Sequence, residues 1–97
     1  MRKLQIQPLA REDLFGICDY IAKDNPKAAN RVADEFDAAI RGLARMPGKG
    51  HARSDVRNPK YRFWTVYSYV IGFEYDDKTV TIVRVIHGRR DLRRFFK

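Results

Sequence analysis

The sequence predicts an α+β domain of order β-α-α-β-β-β, a mostly antiparallel sheet with a helical hairpin packed on one face. Three observations point to it. Between Pro8 and Arg45 apolar residues recur at helical spacing, with one break at Asp24-Asn25-Pro26. From Tyr61 to Ile86 the pattern changes to short runs rich in Val, Ile, Tyr and Phe, separated by brief polar turns. No apolar run approaches the roughly 18 residues of a membrane span, so the 44% apolar content is available for a modest core. Ninety-seven residues without internal repeats or low-complexity tracts make one domain.

Residues 3–7 alternate as a first strand, which Pro8 ends. They lack the apolar stretch of a signal peptide. The first helix runs to about Lys23, because Leu14, Ile17, Cys18 and Ile21 fall on one stripe. Asn25 is a good N-cap and Pro26 suits a first helical position, where its missing N–H costs nothing. The second helix follows to about Arg45, with Ala29, Val32, Ala33, Phe36, Ile40 and Leu43 on its stripe and Met46-Pro47-Gly48 as its stop. So short a connection makes the two helices an antiparallel hairpin. Residues 48–59 form an exposed basic loop. Strands then follow at 61–67 and 69–75, and after a turn at Asp76-Asp77-Lys78 a central strand begins at Thr79. Its branched residues point to both sides, which predicts cover on one face and partial cover on the other. Asp91 can cap one helical turn that docks Leu92, Phe95 and Phe96 on the body. A single helical hairpin covers only one face, so the opposite sheet face is expected to stay open.

Charge is unevenly spread. Residues 1–40 carry six Lys/Arg against seven Asp/Glu, and residues 63–83 one against three. Residues 41–62 carry seven against one, and residues 84–97 six against one, so these two blocks hold all of the excess behind the net +8. If they converge they make one positive field suited to a phosphate backbone or an acidic protein segment. The one cysteine, Cys18, rules out an internal disulfide, fits a reducing cytosol and reads as a small core residue. His51 and His87 lack zinc-ligand spacing, and neither GxGxxG nor a Walker motif occurs. No metal or cofactor is expected.

The candidate site is therefore a set of cations: Lys60, Arg62, Arg84, His87, Arg89, Arg90 and Arg93. One reading is a metal-independent ribonuclease, with His87 as acid or base and Arg62 and Arg84 stabilising phosphorane charge. The other is a docking surface for protein or nucleic acid without chemistry. Beside both stands a structural role, in which Arg84 pairs with Glu74 or Asp91 and His87 caps backbone carbonyls. Tyr61 and Trp64 read as packing residues rather than base-stacking ones.

The element order, the Ala-rich second helix ending in Met-Pro-Gly, the strand opening Tyr61-Arg62-Phe63 and the run Ile82-Val83-Arg84-Val85-Ile86-His87-Gly88-Arg89-Arg90-Asp91 together resemble the RelE/ParE superfamily of bacterial toxins. The closing His-Gly-Arg-Arg-Asp resembles its ParE branch. The resemblance implies the cytoplasmic toxin of a type II toxin–antitoxin module, neutralised by a cognate antitoxin that wraps it with a helix and an extended segment. ParE-like members poison DNA gyrase; RelE-like members cleave messenger RNA on the ribosome. Arg62 and Arg84 sit where RelE phosphate-binding arginines would fall. The lysine cluster shrinks to Lys60, and no Tyr or Trp follows Tyr75 to stack a base, although Phe95 or Phe96 can substitute for stacking. These departures favour the gyrase-directed branch and leave a ribosome-dependent endoribonuclease as the alternative. Either branch implies an antitoxin that neutralises part of the +11 on the two basic blocks.

Overall fold

Proline and asparagine set the frame of the helical layer. In the computed structural model, which describes residues 2–97, Pro8 opens helix α1 (Pro8–Asp24) and Pro26 opens α2 (Pro26–Arg45). Asn25 alone joins them. Its N–H donates to the Ile21 carbonyl and so closes α1, while its side-chain oxygen accepts from Ala28 N–H at 3.1 Å and starts α2. Strand β1 (Lys3–Ile6) precedes the hairpin, and β2 (Arg62–Val66), β3 (Tyr69–Tyr75) and β4 (Thr79–His87) follow it. Single 3₁₀ turns occupy Pro47–Lys49 and Leu92–Arg94.

The sheet order is β1-β4-β3-β2. The chain returns from the hairpin to place β4 in the centre, parallel to β1 and antiparallel to β3. Asp76 shapes the turn before β4 by accepting from the N–H groups of Lys78 and Thr79, both at 2.8 Å. These donors hold its carboxyl below the ordinary range.

Alternation breaks inside β4. Gly72 of β3 faces Arg84 while Phe73 faces Ile82, so Val83 is an extra residue in a β-bulge. Val80, Ile82 and Val85 consequently join the helical side with Phe36, Ile40, Leu43, Ile71 and Phe73. Arg84 and Ile86 turn to the other side. Unbroken alternation would put Val80, Ile82, Arg84 and Ile86 in one row; the row is split here, because one inserted residue reverses every side chain that follows it.

The second sheet face is not open, which corrects the expectation above. Val56 from the basic loop and Leu92 and Phe96 from the tail are buried there against Phe63, Val70 and Ile86. Loop and tail supply the layer that a second pair of helices would otherwise provide.

The β2–β3 turn stores strain. Val66 pairs with Tyr69, leaving a two-residue turn in which Tyr67 has φ 54° and is 62% exposed. A left-handed conformation costs a non-glycine residue about 1 kcal/mol or more. Tyr67→Gly should therefore raise stability in urea unfolding by up to about 1 kcal/mol, with Tyr67→Asn moving the same way by less. A lower midpoint would mean that the ring makes compensating contacts.

Candidate functional site: an apolar groove and a cationic face

Arg84 is the cation most firmly held. Its Nε and Nη2 donate to the two carboxylate oxygens of Asp13 at 2.8 and 2.9 Å, a bidentate pair. Asp13 also accepts from Val85 N–H at 2.9 Å. The reason is geometric. β1 covers β4 only as far as Ile82, and beyond that point the edge of β4 needs another acceptor, which α1 supplies. The guanidinium lies 5.0 Å from the centre of the Phe95 ring, and the Asp13 hydrogen bonds are the largest cause of its raised pKa. Asp13 escaped the sequence reading, which offered Glu74 or Asp91 as partners.

Arg84, His87 and Arg90 line one depression, which Asp13 and Glu12 share, and Arg84 and Arg90 lie over the same Phe95 ring; the remaining candidates scatter. Arg62 pairs across from Phe73, so it belongs to the helical side of an edge strand, two strands away from β4 and on the opposite face from Arg84. A site uniting Arg62 with Arg84 is therefore not formed; the bulge at Val83 separates them. Lys60 sits 3.4 Å from Glu74, which raises its pKa, and lies over the Tyr61 ring. His87 accepts at Nδ1 from Arg89 N–H at 3.1 Å and meets the Tyr69 ring edge-on, which leaves Nδ1 committed to the turn after β4. Arg90 covers Phe95. Arg93 pairs with Asp91, whose carboxyl is pushed down chiefly by that hydrogen bond. His51 stacks on Trp64, which packs against the helical-side core. No three metal-ligating side chains gather among the described residues.

The two basic blocks do meet, but through loop and tail. Arg57, Asn58, Arg93, Phe96 and Lys97 line one depression, and Asn58 Nδ2 donates to the Lys97 carbonyl at 3.5 Å.

A larger feature lies on the helical side. A groove of about 660 Å³ runs between β1 and the two helices. Leu4 and Ile6 of β1, Leu14, Phe15 and Cys18 of α1, and Ala33, Phe36, Ile40 and Ala44 of α2 form its apolar walls. Arg2, Arg11, Arg41 and Arg45 stand around it, against Asp37 alone, which pairs with Arg41 at 3.0 Å. Cys18 is half-buried in the groove wall and not part of the core, which corrects the sequence expectation; burial, and secondarily Asp19, pushes its thiol up. Beside the groove runs a free strand edge. Lys3 and Gln7 donate inward to β4, so the amides of Leu4 and Ile6 face away from the sheet.

The sequence matches the model of the ParE toxin of the type II toxin–antitoxin system parDE over residues 4–92. The chain belongs to the ParE toxin family. No curated protein sequence is a significant match. Among solved structures, a chain of the chromosomal ParDE toxin–antitoxin system of P. aeruginosa is 21% identical with a TM-score of 0.76, over 90% of this chain and 96% of that one. A chain of the RelBE2 toxin–antitoxin complex of Mycobacterium tuberculosis is 24% identical with a TM-score of 0.59, over 89% and 96%. At these identities the likeness is one of fold, and at equal coverage the ParDE chain superposes better. This ParE family toxin has an α+β architecture, and among the described residues no helix is long and apolar enough to cross a membrane.

Proposed function

We propose that this toxin is held inactive by a cognate antitoxin seated in the β1–α1–α2 groove, and that its cytoplasmic target is DNA gyrase, reached by binding rather than by catalysis. The pairing of Arg84 with Asp13 carries the second half of this reading. Cleavage by a ribose 2′-hydroxyl needs a base, an acid and cations converging on one phosphate. Here Arg84 is committed to a carboxylate and Arg62 is on the far face, so the two arginines do not converge on one phosphate. The surface candidates Lys60, Arg89, Arg90 and Arg93 remain target-contact residues under this reading. The test is expression of the chain without its partner while DNA supercoiling and messenger RNA integrity are followed together. Loss of gyrase supercoiling with intact messages is expected; cleaved messages with normal supercoiling would establish the ribosome-dependent endoribonuclease instead.

Support for the groove as antitoxin site is the fit of an amphipathic, acidic segment to its apolar floor and arginine rim, with strand addition on the free edge of β1. Phe15 lines the groove yet is 65% exposed, so it contributes little to the fold. Phe15→Glu should weaken antitoxin binding by a factor on the order of a hundred, the size of a lost aromatic anchor, while the unfolding midpoint stays put. Undiminished affinity in calorimetric titration would move the antitoxin elsewhere.

A further inference from the structure

The cationic face opposite the helices is absorbed by neither groove nor catalysis. Residues 53–60 contribute Arg53, Arg57 and Lys60 against Asp55; residues 89–97 contribute Arg89, Arg90, Arg93, Arg94 and Lys97 against Asp91. Eight cations against two carboxylates put +6 of the chain's +8 on these two segments. The two acids are already taken, Asp55 by Arg53 and Asp91 by Arg93. Arg57, Arg94 and Lys97 are exposed and have no carboxylate partner among the described residues.

We propose that this loop-and-tail surface binds the phosphodiester backbone of duplex DNA directly. Two features select that ligand. Of the apolar side chains of both segments, Val56, Leu92 and Phe96 are buried and Phe95 is half-buried against their cluster with Arg84 and Arg90 over its ring, so the surface offers charge without the exposed hydrophobic anchor a protein segment would need. The groove across the molecule offers the reverse. Single strands are gripped by stacking bases on exposed aromatic rings, and here Phe96 is buried while Tyr61 and Phe95 pack against its cluster. What remains is an array of guanidinium and ammonium groups, the chemistry of nonspecific duplex contact. The proposal does not depend on gyrase being the target.

The measurement is anisotropy of a labelled duplex of about twenty base pairs titrated with the toxin between about 50 and 200 mM salt. Three or four neutralised phosphates give a slope of about −3 to −4 in log K against log salt. The charge reversal Arg57→Glu/Lys97→Glu should weaken binding more than about tenfold and flatten the slope by about 2. Lys27→Glu/Arg31→Glu, an equal change of net charge on the helical layer, should alter affinity less than about twofold if binding is local. Neither Arg57 nor Lys97 makes a side-chain hydrogen bond among the described residues, and circular dichroism checks the fold; the single Gln variants should each flatten the slope by about 1. Equal losses from both double variants, or none, would overturn the proposal. So would tighter binding of a single-stranded RNA of the same length, or displacement of the duplex by polyglutamate at matched charge, which would mark the face as one for acidic protein.

Discussion

Asp13→Ala is expected to lower stability by about 2 kcal/mol, the cost of leaving a half-buried charge and a half-buried amide without their acceptor. The Asp13 and Arg84 side chains are only 15% and 21% exposed, and one carboxylate serves both the guanidinium and Val85 N–H. Removal would strand three N–H donors at once, at the point where β1 no longer covers β4. Asp13→Asn keeps an acceptor for Val85 and should cost less. Arg84→Met, which keeps the apolar stem and removes the fork, should also cost less than Asp13→Ala, because it leaves the amide satisfied. In a double-mutant cycle the Asp13–Arg84 coupling should exceed about 1 kcal/mol. A loss below about 1 kcal/mol for Asp13→Ala would show the pair to be dispensable and reopen Arg84 as a target-binding residue. If the pair is structural, growth inhibition by Arg84→Met should follow the folded fraction and nothing more.

Much of the fold could be read because local signals agreed. Pro8, Asn25-Pro26 and Met46-Pro47-Gly48 fixed both helices to within about a residue, and the terminal turn capped by Asp91 formed with Leu92 and Phe96 buried as expected. Two things stayed hidden. The bulge at Val83 lies in Ile82-Val83-Arg84-Val85-Ile86, where branched residues on both faces erase the alternation that would locate an inserted residue. Cover of the second sheet face depended on Val56, a lone apolar residue in a charged loop, and on the tail docking on that face in particular. Asp13 was legible in principle. It lies at i+3 from buried Ala10 and at i−4 from the partly buried Ile17, a carboxylate on an apolar helical stripe, matched by an arginine inside an apolar strand. Each anomaly implied the other. Of the site, sequence supplied the cations and their two blocks; which faces they occupy was a matter of register and tail docking.

Phe96→Ala is expected to cost about 3–5 kcal/mol, although the residue stands one place from the end of the chain. The residue is 1% exposed, and its ring meets Phe63 and Tyr61 edge-on at 5.0 and 5.3 Å and packs against Gly72. A Cβ at Gly72 would come within 2.1 Å of that ring, so glycine is there to let the ring touch the sheet. Gly72→Ala should therefore expel the ring and cost at least about 2 kcal/mol. The decisive comparison is the double variant. Once Phe96 is alanine the new methyl group has room, so Gly72→Ala should add well under its separate cost, a non-additivity that a generic backbone defect at Gly72 would not produce. Additive losses would show that the ring is not what Gly72 accommodates. The same ring anchors the tail that sets Arg93 and Lys97 beside Arg57 of the loop. Phe96→Ala should then weaken duplex binding even though it removes no charge, because cations on an undocked tail must be ordered again before they can meet successive phosphates.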